Sequence, residues 1–144
     1  MSATTQERNT PQYGVDTIPQ LVSRPAAAGV LLNQGAIAVL RAGFVVPGQT
    51  GTGLVVLGRV ERTVDNRDGV AGALEVSIRM GVFKYGNSAG PDAIGRVNAG
   101  ANCYLVDDQT LALTDDAGKR SRAGTIMDVD PLDGGVWALL GLGL

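Results

Sequence analysis

The residues best suited to metal chemistry are three aspartates near the carboxyl end, Asp128, Asp130 and Asp133, which precede a Gly-Gly pair. Carboxylates spaced in this way beside glycine resemble a fragment of a calcium loop, which alternates oxygen ligands and closes with a bidentate glutamate. No glutamate follows them, so the spacing does not match an EF-hand. We interpret them as a turn before the last strand, and the sequence predicts no metal and no cofactor.

Two adjacent carboxylate pairs, Asp107–Asp108 and Asp115–Asp116, are the other candidates for acid–base chemistry. Each pair lies in a predicted turn, where carboxylates are normally solvated, and few aromatic residues are present to stack on a sugar. The chain contains no histidine, which is the commonest general base and metal ligand. No catalytic residue is predicted, and we expect the protein not to be an enzyme.

Cys103 is the only cysteine, so the chain cannot form an intrachain disulfide, and we predict a small buried hydrophobe on a strand. The glycine-rich loop at residues 48–53 superficially resembles a phosphate cradle. It lacks the Lys-Ser/Thr ending and precedes no helical pattern, so we interpret it as a turn.

Charge and hydropathy give no reason to expect nucleic acid or membrane as a partner. The formal net charge is −2, and the 12 basic residues are dispersed along the 144-residue chain. No apolar run approaches the about 20 residues that a spanning helix requires. We expect a soluble protein that is made in a cytoplasm.

The composition predicts an all-β protein, because 21 glycines separate short blocks of Val, Leu, Ile and Thr. We expect a small β-barrel or sandwich of short antiparallel strands, with a long central hairpin and an extended N-terminal arm. Short strands are predicted at residues 30–32, 36–40, 44–46, 103–106, 110–114, 120–130 and 135–140, those after residue 103 forming a meander.

The clearest pattern is the central hairpin, residues 53–85, with a polar turn at residues 65–69. In its second arm Leu74, Val76, Ile78 and Met80 share one parity, which predicts that all four point into the core. The apolar residues change parity after Gly81, which predicts a β-bulge at that glycine.

Residues 1–25 show no strand or helix periodicity and contain three prolines, so we predict an extended arm that lies on a partner surface. The β-rich domain is then residues 26–144. The candidate interface residues in the arm are Pro11, Tyr13 and Pro19.

Four further interface candidates lie in the β-rich domain. Three of them, Arg59, Arg62 and Arg67, cluster with Arg79 on the central hairpin, where the arginines form either a solvated strand face or a docking surface for an acidic protein. Trp137, the sole tryptophan, is either a core anchor, which is the preferred interpretation, or the centre of a subunit interface.

The order of these features resembles the head decoration, or capsid cement, proteins of tailed bacteriophages. The resemblance is distributed over residues 26–140 and rests on five segments of the chain. These are GRVERTVDN (58–66), GALEV (72–76), RMGVFKYGNS (79–88), CYLVDDQT (103–110) and the residues from Ala123-Gly124 through DGGVW (133–137).

The resemblance implies a β-rich protein that binds the outside of an icosahedral shell, usually as a homotrimer. The partners would be the major capsid protein and further copies of the chain. The location would be the capsid exterior of the virion, after assembly in the host cytoplasm. It carries over no catalytic residues. The alternatives are a carbohydrate- or receptor-binding β-module on a virion or cell surface, and a small lyase or hydrolase.

Overall fold

The computed structural model describes residues 21–143 and confirms the all-β prediction. The strands are β1 (Leu21–Pro25), β2 (Val30–Leu32), β3 (Ile37–Arg41), β4 (Phe44–Pro47), β5 (Val55–Val60), β6 (Val64–Asn66), β7 (Glu75–Arg79), β8 (Gly81–Asn87), β9 (Asn102–Leu105), β10 (Thr110–Ala112), β11 (Arg122–Val129) and β12 (Val136–Leu140). Two single-turn 3₁₀ helices, Gly90–Asp92 and Arg96–Asn98, connect β8 to β9. None of the helices in this part of the chain could cross a membrane.

The first half of the chain forms a five-stranded sheet in the order β1-β7-β5-β3-β4. An isolated bridge between Ala26 and Val45 brings its two edges together, so the sheet curls almost into a barrel. Strands β2 and β6 form a separate two-stranded ladder.

The second half forms a closed barrel in the order β10-β8-β12-β11-β9. The β8–β10 pair is parallel and the other pairs are antiparallel, so the predicted meander is only partly correct, because β10 neighbours β8 and β9 and not β11. The apolar strand β12 lies between β11 and β8, which explains its run of hydrophobic residues.

Two hydrophobic clusters form the core, and strands β3 and β4 contribute to both. Ile37 and Val46 pack into the barrel cluster, whereas their sequence neighbours Ala38 and Val45 pack into the sheet cluster. These strands are therefore buried on both faces, and the sheet and the barrel share them as a common wall. Cys103 is fully buried in the barrel cluster, as predicted.

The parity prediction for the second arm of the hairpin is correct at its centre and wrong at its start. Val76 and Ile78 are fully buried in the sheet cluster, Leu74 is 42% exposed, and Met80 is half-buried. Leu74 precedes β7 and lies beyond the edge of this cluster. The change of parity after Gly81 needs no bulge, because the chain leaves the sheet there and enters the barrel, whose interior lies on the other face.

The central hairpin is shorter than predicted. Strands β5 and β7 pair only at Arg59–Arg79 and Val60–Ile78, because the chain then turns away to form β6 on β2. Asn66 stabilises the path of the chain at β6, since its buried amide donates to the carbonyls of Ala27 (2.8 Å) and Val70 (3.0 Å). A satisfied buried amide of this kind favours one path of the chain over others.

The predicted arm includes five residues that belong to the sheet. Leu21–Pro25 is strand β1, which pairs with β7 and packs Val22 against the sheet cluster. A deletion that is meant to leave the β-rich domain intact must therefore stop at residue 20. Pro11, Tyr13 and Pro19 lie outside the described residues.

Candidate functional site

A groove lies on the described part of the chain where the loop before β3 faces strand β8. It comprises two adjoining cavities of about 950 and 380 Å³, which share Gly35, Lys84 and Tyr85. The larger cavity runs past residues 86–88 to the turn at Asp108–Gln109 and to residues 133–135. The smaller is lined by Arg59, Val82, Phe83 and Trp137 in addition to the shared residues.

Cationic and aromatic side chains meet in the smaller cavity. The Arg59 guanidinium, from the sheet, lies 4.3 Å from the ring centre of Phe83, and the Lys84 ammonium lies 5.7 Å from that of Trp137, in the barrel. Such pairs stabilise by about 0.5 to 1 kcal/mol at exposed sites. We call Arg59, Phe83, Lys84 and Trp137 the aromatic–cation patch.

Acidic partners hold both cations in position. Arg59 and Arg79 both bind Glu61, with 2.7 Å between Arg59 Nη2 and Glu61 Oε2. Partial burial alone would raise the pKa of Glu61, but the hydrogen bonds from Arg79 and Arg59 lower it below its usual value. This arrangement links β5 to β7 at the edge of the groove.

Two of the three aspartates considered for calcium bind a lysine instead. Lys84 Nζ lies 2.8 Å from Asp133 Oδ2 and 3.3 Å from Asp130 Oδ2. The hydrogen bond from Lys84 lowers the pKa of Asp133, and the two carboxylates raise the pKa of Lys84. The third, Asp128, pairs with Arg96. Within residues 21–143, no group of three or more acidic, cysteine or histidine side chains is placed to hold a metal ion.

The floor of the groove contains two partly desolvated polar groups. The buried Tyr85 hydroxyl donates to the Gly35 carbonyl at 3.0 Å, and burial raises the pKa of its phenol. Burial also raises the pKa of Asp108, and neighbouring Asp107 raises it further. The only thiol, Cys103, is fully buried in the barrel, where burial raises its pKa to about 11. A buried thiol with a raised pKa is a poor nucleophile.

The structure brings together two of the predicted interface residues, Arg59 and Trp137. Trp137 is 38% exposed on the outside of the barrel, so the preferred interpretation of a core anchor is wrong. Arg62 is exposed in the turn after β5. Arg67 forms a bidentate pair with Asp65, whose pKa it lowers to about 2, and does not line the groove.

Sequence reasoning did not single out Phe83, Lys84, Tyr85 or Gly35 as site residues. The segment Val82–Asn87 contains two aromatic residues and a lysine that do not follow the preceding alternation. This was the signal in the sequence that could have marked them as site residues. This break was interpreted as a β-bulge at Gly81, because the sequence does not say that the loop before β3 lies opposite.

Comparison with known proteins finds no matching family model, no matching curated protein and no matching solved structure. Apart from the residues 33–36 before β3, the lining of the groove falls within the segments that carry the resemblance described above. Those segments supply Arg59, residues 82–88, Asp108, Gln109, residues 133–135 and Trp137.

Proposed function

We propose that this chain is a head decoration protein of a tailed bacteriophage, a structural and non-enzymatic component that binds the outside of an icosahedral capsid. The observation that carries the proposal is the convergence of the family-like segments on one groove and its aromatic–cation patch. Pairing of β8 with β12 and β10 brings three of these segments to the groove.

The chemistry of this surface supports docking on a protein. Arginine and tryptophan are the residues most often responsible for binding energy at protein interfaces. Arg59 and Lys84 are already paired with carboxylates, so the patch offers little of the unneutralised positive charge that phosphate binding draws on. The partners in this proposal are the major capsid protein and sister copies in a homotrimer.

Stabilisation of the shell requires no turnover. A protein that binds the expanded lattice, and binds its precursor less well, favours the expanded state by mass action. Many copies around one shell add their contributions, and contacts from several subunits raise the effective affinity. The protein would act on the virion exterior after synthesis in the host cytoplasm.

Co-sedimentation with expanded capsids that lack the protein tests the proposal. We expect the wild-type chain to bind, and Trp137→Ala to weaken binding by roughly 30-fold, the effect of losing about 2 kcal/mol at an interface hot spot. Leu132→Ala is the matched control, because Leu132 is a large apolar side chain that is 93% exposed and lies outside the groove.

Light scattering after size exclusion tests the trimer separately. If the wild-type protein leaves expanded capsids bare, the decoration proposal fails. If Trp137→Ala binds as well as Leu132→Ala, capsid binding stands but does not use this patch.

A carbohydrate- or receptor-binding module is the alternative, and the polar lining of the larger cavity favours it. In the described chain, the side-chain amides of Asn33, Gln34 and Gln109 line this cavity without a hydrogen-bond partner. Amides both donate and accept, as sugar hydroxyls require. Titration of soluble oligosaccharides against the fluorescence of Trp137 tests this alternative, since no other tryptophan contributes.

A further inference from the structure

The charged side chains of the groove are distributed unevenly along its length. Beside the smaller cavity, Arg59 and Arg79 share a single carboxylate, that of Glu61. Two cations therefore face one anion, and one positive charge has no anionic partner within residues 21–143. Both arginine side chains are partly exposed, so a binding partner can reach them. We call Arg59, Glu61 and Arg79 the basic end of the groove.

Negative charge is in excess towards the other end. Asp108 and Asp133 line the larger cavity, and Asp133 shares Lys84 with Asp130. Asp108 forms no ion pair in the described part of the chain. Burial raises the pKa of its carboxyl and Asp107 raises it further, so a cation placed beside Asp108 would stabilise the ionised form. We call Asp108, Asp130 and Asp133 the acidic end of the groove.

Apolar and amide side chains lie alongside these charges. Phe83 and Trp137 line the smaller cavity, and the amides of Asn33, Gln34 and Gln109 line the larger one. Side-chain amides can both donate to and accept from the backbone of a bound peptide. A partly exposed tryptophan offers a surface on which an apolar side chain can pack. The groove therefore suits an extended protein segment.

We propose that the groove binds an extended segment of the capsid partner in one direction, with a basic side chain of that segment at the acidic end and an acidic side chain at the basic end. This inference rests on the proposed function, because it names what the capsid surface presents to the groove. The excess at the basic end is a single charge, which suits one carboxylate of a protein rather than a polyanion such as nucleic acid.

The separation of charge gives the bound segment its direction. A segment docked in reverse would place like charges together at both ends, and such contacts are strongly unfavourable. Complementary charges also increase the rate of association, and salt screens this effect because the groups are partly exposed. Binding should therefore depend on ionic strength and on which end of the groove carries which charge.

A charge exchange that preserves the net charge tests the direction. Arg79→Glu combined with Asp133→Lys reverses the excess charge along the groove. Arg41→Glu combined with Asp68→Lys is the matched control, because it makes the same exchange at two exposed residues outside the groove. In co-sedimentation with expanded capsids at low ionic strength, we expect the groove exchange to weaken binding by roughly 30-fold and the control to leave it unchanged.

Neutral variants keep the inference testable if the exchanged protein does not fold. Arg79→Gln leaves Glu61 paired with Arg59, and Asp108→Asn removes a charge that has no ion pair to lose. Each should weaken capsid binding by roughly 3- to 10-fold at low ionic strength, and the difference from wild type should shrink in high salt. Arg41→Gln and Asp68→Asn are the matched controls, and thermal denaturation verifies the fold of every variant.

The outcomes distinguish this inference from the decoration proposal. If the wild-type protein does not bind expanded capsids, both are overturned. If the wild type binds and the groove variants bind as well as their controls, the directional inference alone is overturned. It is also overturned if the groove exchange changes the oligomeric state of the free protein, since a second copy would then occupy the groove. Displacement of the wild type from capsids by neutral oligosaccharides would overturn it as well, since a glycan would then be the occupant.

Discussion

Strands β7 and β8 are consecutive and nearly continuous, yet their environments differ. The even-numbered side chains of β7, Val76 and Ile78, are fully buried in the sheet cluster, whereas those of β8, Val82 and Lys84, lie on the outside of the barrel. Within residues 21–143, β7 is paired along one side with β1 and at two positions on the other side with β5, whereas β8 is paired along one side with β12 and at Gly86 and Asn87 with β10.

The two strands show what an alternating sequence pattern can and cannot predict. Alternation says which side chains share a face of a strand. It does not say which core that face meets, or whether a neighbouring strand covers the edge. At Met80–Gly81 the alternation continues while the buried face changes, because the chain passes from one cluster to the other.

The largest expected effect is on the buried face of β7. Ile78→Ala should lower the free energy of unfolding by about 2 to 5 kcal/mol, because it leaves a cavity in the sheet cluster. Val82→Ala, on the same parity in β8, should cost less than about 1 kcal/mol because Val82 is only half-buried. Urea denaturation of both variants measures the contrast, and equal losses would contradict the assignment of the two faces.

Substituting alanine for Gly58, which faces β7, and for Gly86, in β8, tests how closely each position is approached by neighbouring backbone. Gly58 has a φ of +143°, and a Cβ there would collide with the Arg79 carbonyl of β7. Gly58→Ala should therefore cost about 1 to 3 kcal/mol from backbone strain alone. At Gly86 in β8 a Cβ would lie 3.1 Å from the Gln109 carbonyl, which a small shift relieves. Thermal denaturation should give Gly58→Ala a clearly lower melting temperature than Gly86→Ala. The reverse order would contradict the closer approach of the strands at Gly58.

Acid should weaken the ion pairs of β7 more than those of β8. The pKa values of Glu61 and Asp133 are both lowered in the fold, from 4.5 and 3.8. Their contributions are therefore complete above those values and are lost as the pH falls through the lowered pKa. Glu61→Gln should remove about 0.5 to 1 kcal/mol near neutral pH and flatten the acid dependence below pH 4.5.

The comparison variant is Asp133→Asn, whose effect should be smaller because the Asp133 side chain is 54% exposed against 18% for Glu61. Denaturation at several pH values between 3 and 7 measures both. The ranking would be contradicted if Asp133→Asn reduced the pH dependence of the unfolding free energy more than Glu61→Gln does.

Much of the fold follows from local sequence patterns. The short strands predicted on either side of the central hairpin lie within two residues of their observed positions, because glycine and polar turns bound each apolar block. The burial of Ile78 follows from strand alternation, and that of Cys103 from the tendency of free cysteine to be buried.

The failures lie where one strand meets another part of the chain. The end of the predicted arm at Pro25 was wrong because Leu21–Pro25 has too little periodicity to read as a strand and is held by pairing with β7. The predicted hairpin was too long because residues 64–66 pair with β2 as strand β6 and do not continue β5. Neither partner can be identified from the sequence of the segment itself.

The sequence alone determined the positions of the strands outside β1 and the central hairpin, the lack of histidine and the alternation of faces, since each depends on residue types within a few positions. Only the tertiary structure decided that Trp137 is exposed and that Arg59 meets Phe83. These features arise where the sheet packs on the barrel. They depend on contacts between segments that are distant in sequence, which local secondary-structure propensity does not predict.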